Sequence, residues 1–168
     1  MDVKKDTHNL REIRVLDPLP SDGNRHLDML AYIASPISVI LPEIVGTPDP
    51  NDYEEVKKAR EKFESWGFDI YKVETLIFQK PPPVPMYLVF SYTNALVIND
   101  IVIVPQYYDS NPNSPCHIQQ LIELDNKALQ VFRDAFPGKT IIPIFVPSQV
   151  LMGLGSIHCV TLTRPALP

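Results

Sequence analysis

One order of elements occurs twice in this chain and restricts its fold more than any other feature. Two short apolar runs come first, then an amphipathic helical stretch, then a further apolar run. In the first unit the runs cover residues 25–33 and 36–45, the helix 52–66, and the returning strand 68–78. In the second they cover 86–98 and 101–107, the helix 116–136, and the strand 139–146. Tyr53, Val56, Phe63 and Trp66 recur at helical spacing in the first helix, and Ile118, Leu121, Ile122, Leu129, Phe132 and Phe136 in the second. The strands are rich in β-branched residues, as strands are. Gly67 and Gly138 follow the helices where a residue of positive φ is expected, and Asn99-Asp100 reads as a two-residue hairpin turn. A strand after 146, carrying Cys159, completes the expected order.

Repeated units that cannot bury their faces alone imply a mixed α/β array in which neighbours cover one another. At 168 residues one domain is expected, with residues 1–12 polar and flexible. Proline is unusually frequent, 18 residues, and Pro36, Pro42, Pro105, Pro143 and Pro147 are expected at the ends of apolar runs, where they stop strands. The net charge of -5 is opposite to a nucleic-acid footprint. Two cysteines make no disulfide framework. No apolar stretch matches a bilayer span and no apolar signal core follows Met1, so a cytoplasmic chain without a membrane partner is expected. There is no acidic D-x-D-x-D-G loop, so no metal and no other cofactor is expected.

The residues with chemical potential lie far apart. Cys159 follows Gly153-Leu154-Gly155-Ser156-Ile157-His158. Glycines there let a neighbouring group approach closely, and a thiol beside such a turn is placed to act as a nucleophile, although a lone cysteine is more often a small buried hydrophobe. Read as a strand, residues 25–33 put His26 and Asp28 on one face, where a carboxylate orients a ring or both address one polar ligand. A structural pair at a strand end is the plainer reading. Alternation turns His158 away from the side chain of Cys159, and Cys116-His117 is two ligands short of a metal site.

Taken in order, His26-Leu27-Asp28, Ser91-Tyr92-Thr93-Asn94, Val104-Pro105-Gln106-Tyr107 and Gly155-Ser156-Ile157-His158-Cys159 resemble the C-terminal part of the bacterial-type peptidylarginine deiminase and agmatine deiminase family. The resemblance runs from about residue 13 to residue 165. It implies a partial pentein fold, a propeller of ββαβ units of which roughly two plus a closing strand are present. It implies hydrolysis of a guanidinium to a ureido group and ammonia, on an arginine-containing peptide or, alternatively, on agmatine. By match of position, it implies Cys159 as nucleophile, His26 as general acid and base, Asp28 as the carboxylate that grips the guanidinium, and Asn94 as an active-site asparagine of the peptidylarginine branch. The family's N-terminal units supply a further acidic residue, for which Asp17 or Asp22 is the nearest stand-in here. A homo-oligomer, or a complementary chain that supplies the missing propeller units, is therefore expected. A non-catalytic binding or assembly module on the same scaffold is the competing class, and an amidinotransferase is a third.

Overall fold

In the computed structural model residues 14–79 and 87–162 are described. The expectation of a flexible segment at 1–12 and the start of the run at residue 86 lie outside them. The element order is β1 (Tyr32–Ser35), β2 (Ser38–Gly46), α1 (Pro50–Ser65), β3 (Asp69–Gln79), β4 (Tyr87–Phe90), β5 (Leu96–Ile98), β6 (Ile101–Gln106), α2 (Gln120–Ala135), β7 (Thr140–Phe145) and the short α3 (Ser148–Met152).

Both ββαβ units form as the periodicity implies. β1 and β2 pair antiparallel around Pro36-Ile37, and the α1 crossover returns β3 parallel to β2. β5 and β6 pair antiparallel around Asn99-Asp100, and α2 returns β7 parallel to β6. Asn99 takes φ 52°, which asparagine tolerates better than most residues. β4 adds antiparallel to β3, which gives sheets in the orders β1-β2-β3-β4 and β5-β6-β7. α1 begins at a capping box in which Asp49 and Asp52 satisfy each other's backbone donors, with Pro50 in the first turn. Gly67 and Gly138 take φ of 78° and 86° after the two helices, as expected.

Several readings are corrected. The run at 86–98 is two strands in different sheets, because residues 91–95 leave the ladder to bond elsewhere. The run 25–33 is not one strand, and only Tyr32 and Ile33 of it belong to β1. Leu27–Met29 form a 3-10 turn, and Met29, Leu30 and Ala31 are buried consecutively rather than alternately. No strand carries Cys159: α3 and a second 3-10 turn, His158–Val160, end the described chain. Pro42, Pro105 and Pro143 sit inside strands, not at their ends. They are tolerated because β1 pairs with β2 only as far as Ile40 and β5 with β6 only as far as Ile103, while β7 is an edge strand. One flank at each proline therefore needs no N–H.

The core has two parts. The larger lies around α2, where Leu121, Leu124, Ala128 and Phe132 pack with Phe90, Tyr92, Val104 and Tyr107. The smaller lies between α1 and the first sheet, around Val56, Ala59, Phe63, Val39, Leu41 and Ile77. The site sits at the loops that leave these cores.

Candidate active site

Three loops meet at one point. The first, residues 22–31, leads into β1. Its base is tied to α1: Asp52, fully buried, accepts from the backbone N–H and the hydroxyl of Ser21. One residue on, the Asp22 carboxylate accepts from the backbone N–H groups of Asn24 (3.0 Å) and His26 (2.7 Å). Arg25 is thereby held at φ 56°, and His26 caps the 3-10 turn that carries Asp28. Asp22 is thus occupied in shaping this loop, and Asp17 lies 3.6 Å from Lys62 on the surface, so neither stands in for the family's further acidic residue.

The second loop, residues 91–95, is buried throughout. Thr93 donates its hydroxyl to the Asp28 carbonyl (2.9 Å) and Ser91 donates to the Met29 carbonyl (3.1 Å). The two hydroxyls also lie 2.8 Å apart. Two protons serve these three contacts, so one contact lacks a proton at any instant. Asn94 reaches the other way. Its Nδ2 donates to Cys159 Sγ (3.1 Å), its Oδ1 accepts the Cys159 N–H (3.3 Å), and its carbonyl accepts the His158 N–H (3.3 Å). This loop therefore holds Asp28 on one side and Cys159 on the other.

The third loop, residues 153–161, is anchored twice in its first half. Asn24 Nδ2 donates to the Leu154 carbonyl (2.8 Å). The Tyr107 hydroxyl donates to the Ser91 carbonyl (2.7 Å), so the Ser156 hydroxyl donates to Tyr107 (2.8 Å). Burial raises the Tyr107 hydroxyl far above its usual titration range, which keeps that proton in place. Tyr107 is itself fixed by Asp125 on α2, whose carboxylate accepts from the N–H groups of Tyr107 and Tyr108 and from the Tyr92 hydroxyl (2.7 Å). At Gly155 an added Cβ would lie 3.1 Å from the Cys159 Cβ, so a side chain there would crowd the cysteine.

The outcome is that His26, Asp28 and Cys159 each place one polar atom in a volume where all three lie within 4.8 Å of one another. Cys159 is exposed, whereas Cys116 is buried and its thiol is pushed up by desolvation, so Cys159 is the accessible sulfur. The reading that turned His158 away is corrected. The 3-10 turn rotates successive side chains by about a third of a turn rather than a half. His158 Nδ1 accordingly lies 2.7 Å from Asp28 Oδ2, beside an open cavity of about 610 Å³ that Arg25, His26, Asp28 and Tyr32 also line. The roles of Asp22, Ser91, Thr93, Tyr107 and Ser156 were not legible beforehand. Their polar side chains inside apolar surroundings are the one signal that marks them, and it does not say what they bond.

Residues 5–165 match the family model for Porphyromonas-type peptidyl-arginine deiminase, and the chain belongs to that family. An agmatine deiminase of Medicago truncatula is 25% identical over 168 residues, spanning 87% of this chain and 41% of that protein. An agmatine deiminase of Stutzerimonas stutzeri is 32% identical over 77 residues, 45% of this chain and 17% of that one. The solved structure of C. jejuni agmatine deiminase superposes with a TM-score of 0.68 at 24% identity, over 92% of this chain and 43% of that chain. The fold is thus the pentein arrangement in part, and the chain spans less than half the length of these relatives. Among the described residues no helix is long and apolar enough to cross a membrane.

Proposed function

We propose that this chain carries the nucleophile-bearing part of a guanidinium deiminase site. The observation that carries the reading is the convergence of Cys159 with His26 and Asp28 across some 130 residues of sequence. A guanidinium seated on Asp28 presents its carbon to Cys159, and a planar fork of N–H donors suits a carboxylate. The thiolate attacks that carbon and a tetrahedral adduct forms. The C–N bond then breaks as His26, in its imidazolium form, gives a proton to the departing ammonia. A covalent thiouronium remains. His26, now neutral, takes a proton from water, the water attacks, the C–S bond breaks, and the ureido product leaves. Asn94 holds the sulfur by donating to it, and the same contact steadies its negative charge.

Two substrate classes fit. The family model favours peptidyl-arginine, giving peptidyl-citrulline, and the named relatives favour agmatine. Ammonia release from an arginine peptide and from agmatine, each with Cys159→Ala alongside, decides between them. Turnover of either that vanishes in the variant is expected. Turnover that survives in Cys159→Ala removes the mechanism.

The remainder of the substrate wall comes, in this reading, from further ββαβ units, carried by a second copy or a complementary chain. The support is the apolar edge strand β7, where Ile142, Ile144 and Phe145 are exposed. Sedimentation of the chain at micromolar concentration is expected to show an oligomer, and a clean monomer would count against self-association. A catalytic role also accords with a cytoplasmic location, which fractionation of the source cells would test.

A further inference from the structure

We infer that His26, Asp28 and Cys159 also form a reversible site for a zinc-class divalent cation, which closes the site to guanidinium. The donors are a thiol sulfur, an imidazole nitrogen and a carboxylate oxygen, all within 4.8 Å of one another. That mixed set suits borderline-soft ions such as Zn²⁺, whereas Mg²⁺ and Ca²⁺ take oxygen ligands. Bond lengths of about 2.0–2.3 Å in a tetrahedral zinc site place donors roughly 3.3–3.8 Å apart. The widest spacing here must therefore close by about an ångström. His26, just before one short turn, and Cys159, in the middle of another, are both exposed, so side-chain rotation suffices.

A second observation also points to a ligand. Asp28 Oδ1 is buried and has no hydrogen-bond partner among the described residues, while Oδ2 is taken by His158 at 2.7 Å. A buried oxygen without a partner is costly unless something binds it. His158, which lines the cavity, steadies the carboxylate through Oδ2, the oxygen that also lies 3.9 Å from Cys159 Sγ. Three protein donors leave one position for water, the pattern of an open zinc site. Binding breaks the S–H bond, forms a metal–sulfur bond and sends the proton to solvent, with no change of oxidation state. The same three groups carry the proposed reaction, so the inhibitory consequence rests on that reading, but occupancy by the ion does not.

The test uses the chelator-stripped chain and Zn²⁺ alone, titrated in competition with a coloured chelator. One equivalent bound at micromolar free ion or tighter is expected, weakened at least tenfold in Cys159→Ser and in His26→Ala. Both side chains are exposed, so these variants keep the core. Saturating Zn²⁺ should slow alkylation of Cys159 by iodoacetamide at least tenfold, and a chelator should restore it. Cys116→Ala should bind as the wild type does. Undiminished binding in Cys159→Ser, or alkylation indifferent to Zn²⁺, overturns the site. A chain that binds Zn²⁺ yet releases no ammonia keeps this site and loses the reaction, and the reverse result does the opposite.

Discussion

The two ββαβ units share an order of elements and a pairing scheme, yet they bury very different amounts of themselves. β3 and β7 are the matching third strands, both apolar and both parallel to the strand before the helix. β3 is covered on its far side by β4, and Val73, Leu76 and Ile77 are buried. Among the described residues β7 has no strand beyond it, and Ile142, Ile144 and Phe145 are exposed. The helices differ in the opposite sense. α1 buries four residues and flanks one sheet, whereas α2 buries seven and serves the larger core. Burial here follows from what lies next to an element, not from its own composition. The catalytic candidates gather between the two cores: the His26–Asp28 loop is tied to α1 through Ser21 and Asp52, and the Cys159 loop to α2 through Ser156, Tyr107 and Asp125.

The comparison is broken most severely at Phe132, fully buried on α2 and in edge contact with Tyr32. Phe132→Ala is expected to cost about 3–5 kcal/mol in urea denaturation, and more than Phe63→Ala on α1. A larger loss at Phe63 would reverse the ranking of the two cores. Ile77→Ala on β3 should cost about 2–5 kcal/mol, while Ile144→Ala on β7 should stay within about 0.5 kcal/mol. If the two cost the same, β7 is covered in solution, and the exposure argument for a partner becomes an observation of one.

The polar network sharpens the contrast on a smaller scale. Tyr92→Phe removes one of three donors from the buried Asp125 carboxylate. A loss of about 1–3 kcal/mol follows for a buried acceptor left short, and thermal melts of the two proteins measure it. At α1 the equivalent device is a cap, and Asp49→Ala should cost about 1 kcal/mol.

The weakest handle is pH. Burial raises the carboxyls of Asp125 and Asp52 above the ordinary value of 3.8 in the folded chain. Each therefore holds its proton more tightly folded than unfolded. Their contribution to stability is complete below that ordinary value and is lost as pH rises through the raised folded value. Urea midpoints in mild acid should carry this slope, and Asp125→Asn should carry less of it. An unchanged slope in the variant would assign the effect to other groups.

How much was legible beforehand varies element by element. The two helices, the parallel returns and the Asn99-Asp100 hairpin follow from periodicity and turn chemistry, because local sequence controls those spacings. A period of two suggests strands over residues 25–33 and in the Cys159 segment, where 3-10 turns form instead. Their conformation is set by long-range bonds, from Asp22 to the His26 N–H, from Thr93 to the Asp28 carbonyl, and from Asn94 to Cys159. A period of two in apolar residues carries no trace of such bonds. His158 was placed on the wrong side for the same reason, since a strand alternates and a 3-10 turn does not.

Residue order alone supplies the groups available for chemistry, and the ββαβ succession that brings the chain back on itself. Tertiary structure alone decided that Cys159 sits beside Asp28, that His158 faces the site, and that Tyr107 and Ser156 brace the turn between them. The physical reason is distance along the chain. Helix and hairpin signals act over a few residues, whereas contacts across 130 residues exist only once both cores have closed and the loops leaving them are held in register.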